Sequence, residues 1–301
     1  MTYLRREKKR YREKGYGFFF SVVQLGLLVY YLPVVGQQVW PMYLALGIPE
    51  AYLEPVSEYW VTMATFLVMN GVFMVIYKLE WECLERYKIN LNPWPWQQDP
   101  EEWRKFLAET LKLVCFNKLV FVPVAAYLGA WQKGFRCSFT YDLETLPDSK
   151  LLVLTFLFCF NVERVVFSAT HQLLHAPALY ARVHKTHHSY TNTVCISTEY
   201  AHPLEYLLGN ILPVVVGPAL LGKHIHLYTV MLFFAVRIVD SSEQHSGYSF
   251  SWNPMRLLPF VVNADYHNFH HSHNVGNYST IWLWDTVFGQ NREYYKYMHL
   301  K

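Results

Sequence analysis

The chain has 301 residues, 52% of them hydrophobic, 18% aromatic and only 16% charged, with a formal net charge of +3. Soluble chains average about 25% charged residues, so the composition speaks against a disordered chain or an ordinary soluble enzyme and for a membrane protein. The slight positive charge forms no basic face suited to nucleic acid, and a mean hydropathy of +0.07 keeps part of the chain in water.

Seven basic residues (Arg5, Arg6, Lys8, Lys9, Arg10, Arg12, Lys14) precede an apolar run over residues 17–36. About 20 apolar residues span a bilayer. The run is too long for a signal-peptide core, so it reads as a retained anchor. Further apolar runs cover about 59–77 and 113–131, and another begins at Leu151. The linker 90–100 carries Pro93, Pro95 and Pro100 and cannot be regular helix. Its tryptophans Trp94 and Trp96, with Trp103, are expected at headgroup level. Two shorter apolar stretches, 206–221 and 225–239, flank Gly222-Lys223. They read as a hairpin entering and leaving from one side, or as a pair of buried core helices.

Lys/Arg distribution sets orientation. Residues 37–58 have none, whereas 79–112 contain Arg86, Lys88, Arg104, Lys105 and Lys112. The N-terminus and 79–112 therefore face the cytosol. Four spans return the chain to that face after Thr170. The five cysteines (Cys83, Cys115, Cys137, Cys159, Cys195) form no Cys-x-x-Cys and give neither a disulfide framework nor a cysteine zinc site.

All 14 histidines lie at or after His171. His171 and His175 form H-x3-H; His184, His187 and His188 form H-x2-H-H; His267, His270 and His271 repeat it. On a helix these spacings share a face, so each group can aim two or three imidazoles at one point. Imidazole suits zinc, copper, iron and nickel. Eight clustered histidines exceed what one tetrahedral zinc accepts, which predicts two metals. Iron in nitrogen-rich sites with open positions activates oxygen, whereas zinc has no redox chemistry. A zinc hydrolase would carry carboxylates among its ligands. Here Glu199, Glu205, Glu243, Asp265 and Asp285 lie outside the clusters and read as partners orienting imidazole N–H groups. His224, His226 and His299 read as ordinary surface or core histidines.

The expected fold is an all-α integral membrane protein. About four transmembrane helices and a short membrane hairpin carry a cytosolic-side helical cap with a histidine-rich dimetal site. Residues 1–150 form the basic segment and an anchor of about three spans. Residues 151–301 hold the fourth span, the hairpin and the catalytic cap.

The ordered series HQLLH, HKTHH, EYAHPLE (199–205), HSGY (245–248), HNFHH (267–271), GNY (276–278) and WDTVFG (284–289) resembles the fatty acid hydroxylase and sterol desaturase superfamily. The likeness is greatest to the 4-methylsterol oxidases. Only eight residues separate His175 from His184, which favours the hydroxylase and sterol-modifying branch over the acyl-CoA desaturases. The resemblance implies two irons, molecular oxygen as oxidant, and electrons from NAD(P)H through a reductase and cytochrome b5. No HPGG haem motif occurs, so the donor would be a separate protein. It also implies His171, His175, His184, His187, His188, His245, His267, His270 and His271 as ligands, with His202 a further ligand or orienting residue. Three features depart from the family. Gln172 replaces an arginine, Arg164 an aspartate, and Phe167, Ser168, Ala169 and Thr170 replace aromatic or histidine residues. These changes leave open a metal-loaded but catalytically silent subunit of a membrane assembly. Arg5 and Arg6 suit the endoplasmic reticulum, with the mitochondrial inner membrane the alternative. Substrate should reach the metals through a tunnel from the bilayer, walled by the helix before His171, the 206–239 hairpin and residues 257–262.

Overall fold

The computed structural model describes residues 3–90 and 92–300, with side chains from Gly15 to Met298 apart from residue 91. The basic side chains of residues 5–14 and His299 lie outside the described residues. Six long helices form the body: α1 (Tyr3–Leu44), α2 (Glu50–Leu79), α3 (Pro100–Gln132), α4 (Ser149–Leu174), α5 (Pro203–His224) and α6 (Leu227–Gln244). A shorter helix, α7 (Ala264–His273), carries the last histidine cluster. Among the described residues there is no strand, only isolated bridges.

Local chemistry sets the helix starts. Asp99 accepts from Glu101 and Glu102 backbone N–H, with Pro100 at the first helical position of α3. Asp148 accepts from Leu151 N at α4. Such caps satisfy donors that have no partner inside the helix. Five helices, α1 to α5, are long and apolar enough to cross a membrane. The outer face of α1 exposes Phe18, Phe19, Phe20, Leu27, Tyr30 and Tyr31. A continuous apolar face of that size belongs against lipid.

Contacts fix which ends meet. The far end gathers Trp40, whose Nε1 donates to Tyr141 O at 2.8 Å, and the α5–α6 turn, where Lys223 Nζ donates to Phe139 O at 2.9 Å. The opposite end gathers the last turns of α2, α4 and α6. There Tyr77 donates to Ser246 O at 2.7 Å, and the histidines sit beside the basic 79–112 segment. The α5–α6 hairpin therefore leaves and returns to the histidine end, as expected, but reaches the far end of the bundle. Its apolar runs look short because Glu205 lies in its first turn and Arg237, Asp240 and Glu243 in the last two turns of α6. The second arm, α6, is a buried core helix: Leu227, Val230 and Phe233 are fully enclosed. It packs along α2, while α5 packs along α4. A Cβ on Gly217 would come 2.8 Å from Cys159 Cα, so this glycine permits the close α4–α5 approach.

Trp94 is not a lipid-facing side chain. It is buried, stacked on Trp96 at 5.2 Å and against Tyr77 and Tyr248. The proline-rich linker thus folds inward as a lid of aromatic packing under the cap.

Candidate metal centre

Three π-type turns (Asn117–Phe121, Tyr180–His184, Tyr206–Ile211) surround the histidine end. Such turns shift the helical register and recur at functional sites. One delivers His184, and the other two deliver polar residues to the wall beside it.

The nine histidines form two groups. His171, His175, His184, His188 and His270 have ring nitrogens within 4.8 Å of one another; so do His187, His245, His267 and His271. The groups do not follow the sequence motifs. In each cluster the i and i+4 members stay together (171/175, 184/188, 267/271). The i+3 member, His187 or His270, joins the other group. The two sites therefore interlock through shared segments, and a motif does not aim all its imidazoles at one point. His245, from the end of α6, completes the second group. His202 stands apart: its Nδ1 accepts from Leu204 N at 3.2 Å and caps α5.

The Nε2 atoms converge. In the first group, 171–184 and 175–184 are 3.0 Å apart, and 175–270 and 184–188 are 3.1 Å apart. In the second, 245–267 is 3.0 Å, 267–271 is 3.2 Å and 187–245 is 3.3 Å. Ligands at about 2.0–2.1 Å from one ion, subtending roughly 90–110°, lie about 2.9–3.4 Å apart. The measured separations match edges of a coordination polyhedron.

Tautomers point the same way. His171 Nδ1–H donates to Tyr278 O at 2.6 Å, His270 to Gly276 O at 2.7 Å, His245 to Ser241 O at 2.9 Å and His187 to Tyr200 O at 3.1 Å. His184 Nδ1–H donates to Glu205 Oε1 at 2.7 Å. With the proton on Nδ1, each Nε2 presents a bare lone pair inward. Facing lone pairs repel, and a cation is what relieves them. Burial, reinforced by neighbouring histidines, also keeps the rings neutral: His175 is pushed down to about 2 and His187 to about 3. Burial takes His245 to about 4, and His184, His188, His267, His270 and His271 fall below the ordinary value as well. The residues present therefore fit two metal ions.

Of the expected orienting carboxylates, Glu205 touches a histidine. Glu199 pairs with Lys118, and Glu243 accepts from Phe250 N. Asp265 accepts from Ser249, and Asp285 from Tyr266. Backbone carbonyls do most of the orienting. Glu163 and Asp240 form direct ion pairs with Arg237, at 2.8 and 2.5 Å. The Arg164 guanidinium instead lies over the Phe160 ring at 4.8 Å.

A cavity of about 980 Å³ runs from His171, His184, His187, His245 and His267 toward Glu54 and Lys133 at the far end. Its walls come from α4, α5 and α6, as expected, and also from α2 and α3, which the sequence did not indicate. Val262 is the part of 257–262 that reaches it. Ser168, Ala169 and Thr170 do not line it. Ser168 hydroxyl meets Ser279 at 2.5 Å and Ala169 points outward, so these small residues serve packing and surface rather than pocket width.

An all-helical membrane protein with nine clustered histidines that fit metal ions, opening on a cavity between its helices, is the class defined by this geometry. The fatty acid hydroxylase family profile matches residues 156–290. Similar proteins include a putative methylsterol monooxygenase of Dictyostelium discoideum, 30% identical over 79% of this chain and 86% of that protein. Methylsterol monooxygenase 2-1 of Arabidopsis thaliana is 34% identical over 79% and 91%. A very-long-chain aldehyde decarbonylase of Oryza sativa subsp. indica is 38% identical over 82% and 94%. The chain belongs to the fatty acid hydroxylase family. No solved structure matches it.

Proposed function

We propose that this protein is a di-iron monooxygenase that oxidises a methyl or methylene group of a sterol or related lipid, drawing electrons from NAD(P)H through a reductase and a separate cytochrome b5. The observation that carries the reading is the five-nitrogen group beside the four-nitrogen group, both at the head of a lipid-sized cavity. Five nitrogen donors exceed tetrahedral zinc and suit an iron with an open position. Bound iron would supply the redox chemistry that lets molecular oxygen attack an unactivated C–H bond. The chain's own contribution is positional. Phe121, Leu128, Val214 and Phe234 hold the lipid body, and backbone carbonyls hold four of the imidazoles in one tautomer, with Glu205 holding a fifth. Burying the sterol in this wall rather than in water is worth about 25 cal/mol per Å² of apolar surface.

The stacking of Arg164 on Phe160, away from the histidines, supports an active centre over a silent subunit. By the positive-inside rule the histidine end, which shares the basic 79–112 segment, faces the cytosol, and the endoplasmic reticulum is the proposed membrane. The similarity to an aldehyde decarbonylase supports a second reading, in which the lipid is a long-chain aldehyde. The test is NAD(P)H-dependent oxygen uptake by the purified holoprotein with cytochrome b5 and its reductase, comparing a 4-methylsterol with a very-long-chain aldehyde. Two irons per chain and sterol turnover are expected. Zinc alone with hydrolytic activity, or two irons without turnover of either lipid, would overturn the proposal.

A further inference from the structure

Lys118 stands within the apolar stretch of α3 and is buried, with its side chain 6% exposed. An ionisable group in a membrane helix is costly and marks a functional site by default. Its partner is Glu199, 2% exposed, with Lys118 Nζ 3.1 Å from Oε2. Tyr206 hydroxyl donates to that same Oε2. Both contacts therefore use one carboxylate oxygen, and among the described residues Glu199 Oε1 has no hydrogen-bond partner. Lys118 carries three N–H donors; one serves Glu199, and the amine also lies 4.9 Å from the Phe66 ring centroid. The pair leaves the second carboxylate oxygen open toward the cavity that both residues line. It keeps a donor and an acceptor in reserve.

All three residues line the cavity that ends at the histidines. Each side of the pair is also joined to a metal group by chain. Glu199 precedes Tyr200, whose carbonyl accepts from His187 Nδ1 at 3.1 Å. Tyr206 follows Glu205, which accepts from His184 Nδ1 at 2.7 Å. The polar pair is thus fixed relative to both groups.

We propose that Lys118 and Glu199, braced by Tyr206, form a subsite for a hydroxyl group of the lipid within the cavity that ends at the histidines. An alcohol accepts from Lys118 and donates to Glu199 Oε1. A carboxylate would meet Glu199 as a like charge, a ketone would leave Oε1 unused, and a hydrocarbon would satisfy neither. This rests on the lipid-oxygenase reading only for the ligand being a lipid.

The experiment is equilibrium binding of radiolabelled probes to the holoprotein in detergent. The probes are 4-methylcholestanol against its O-methyl ether, and a long-chain primary alcohol against its ether. The Lys118→Met/Glu199→Leu variant removes both charges together and so strands neither; metal content and melting temperature are measured alongside. Wild type should bind the alcohol of at least one pair about tenfold or more tighter than its ether, the scale of a hydrogen bond to a charged group. The double variant should lose that preference at unchanged metal content. Equal binding of alcohol and ether by wild type overturns the subsite, as does a double variant that keeps the preference. If the double variant fails to fold, the wild-type comparison still decides. Oxygen uptake on the same samples separates the two ideas: an alcohol preference without turnover sinks only the oxygenase reading, and turnover without preference sinks only the subsite.

Discussion

Replacing Glu205 by Leu tests whether the two histidine groups are independent metal sites. Glu205 Oε1 accepts from His184 Nδ1 at 2.7 Å, and the two side chains are 5% and 1% exposed. Without the carboxylate, a buried N–H loses its acceptor, at about 1–3 kcal/mol. His184 lies 3.0 Å from both His171 and His175, so its misorientation is felt across the five-nitrogen group. Affinity for that ion should fall about 10–100-fold, the usual cost of removing a partner that orients a ligand. The four-nitrogen group, oriented by Tyr200 and Ser241 carbonyls, should hold its ion. The assay is metal content by mass spectrometry after graded chelator challenge. Wild type should release both ions at similar chelator strength, while Glu205→Leu should release one early. Glu205→Gln, which keeps an amide oxygen as acceptor, should recover part of the loss. Equal weakening of both ions, or no change in either, would refute the assignment of Glu205 to one site.

His270→Ala and His187→Ala should each lower metal content and activity together, with His270→Ala acting first on the five-nitrogen group; a full two-metal complement in either variant would contradict the ligand set. Ala126→Trp, placed in the cavity wall, should abolish lipid turnover with both metals retained, whereas Ala169→Trp on the outer surface should leave turnover intact; the reverse pattern would misplace the cavity. In the metal-free protein His175, His187 and His245 titrate at about 2, 3 and 4, below an unfolded value near 6.5. The unfolded chain therefore takes up protons first, so stability is complete above pH 6.5 and declines as pH falls toward these values; a melting temperature unchanged from pH 7.5 to 5 would count against neutral burial. Gly217→Val should lower the melting temperature, because its side chain meets the Cys159 backbone at a cost of about 1–3 kcal/mol; an unchanged value would mean that α4 and α5 are not in close contact.

The sequence by itself determined the ingredients. Apolar runs of spanning length specify membrane helices, because hydropathy is a property of composition over a window. The spacing of histidines specifies imidazoles that can converge, because i and i+4 share a helix face wherever the helix ends up. It also flagged His245, which completes the second group. What it did not carry was anything set by neighbours distant in the chain. The sorting of His187 and His270 into the opposite groups depends on how α4, the His184 turn and α7 are placed against each other. The atoms that hold the imidazoles are mainly carbonyls of Ser241, Tyr200, Gly276 and Tyr278, and a backbone oxygen leaves no mark in a residue pattern. The reach of the α5–α6 hairpin was hidden for a related reason: Arg237 and Asp240 lower the local hydropathy of a helix that is buried because Glu163, 74 residues earlier, lies beside it. The cavity belongs wholly to tertiary structure, since Lys118 and Glu199 become a pair only when α3 packs beside the segment that precedes α5.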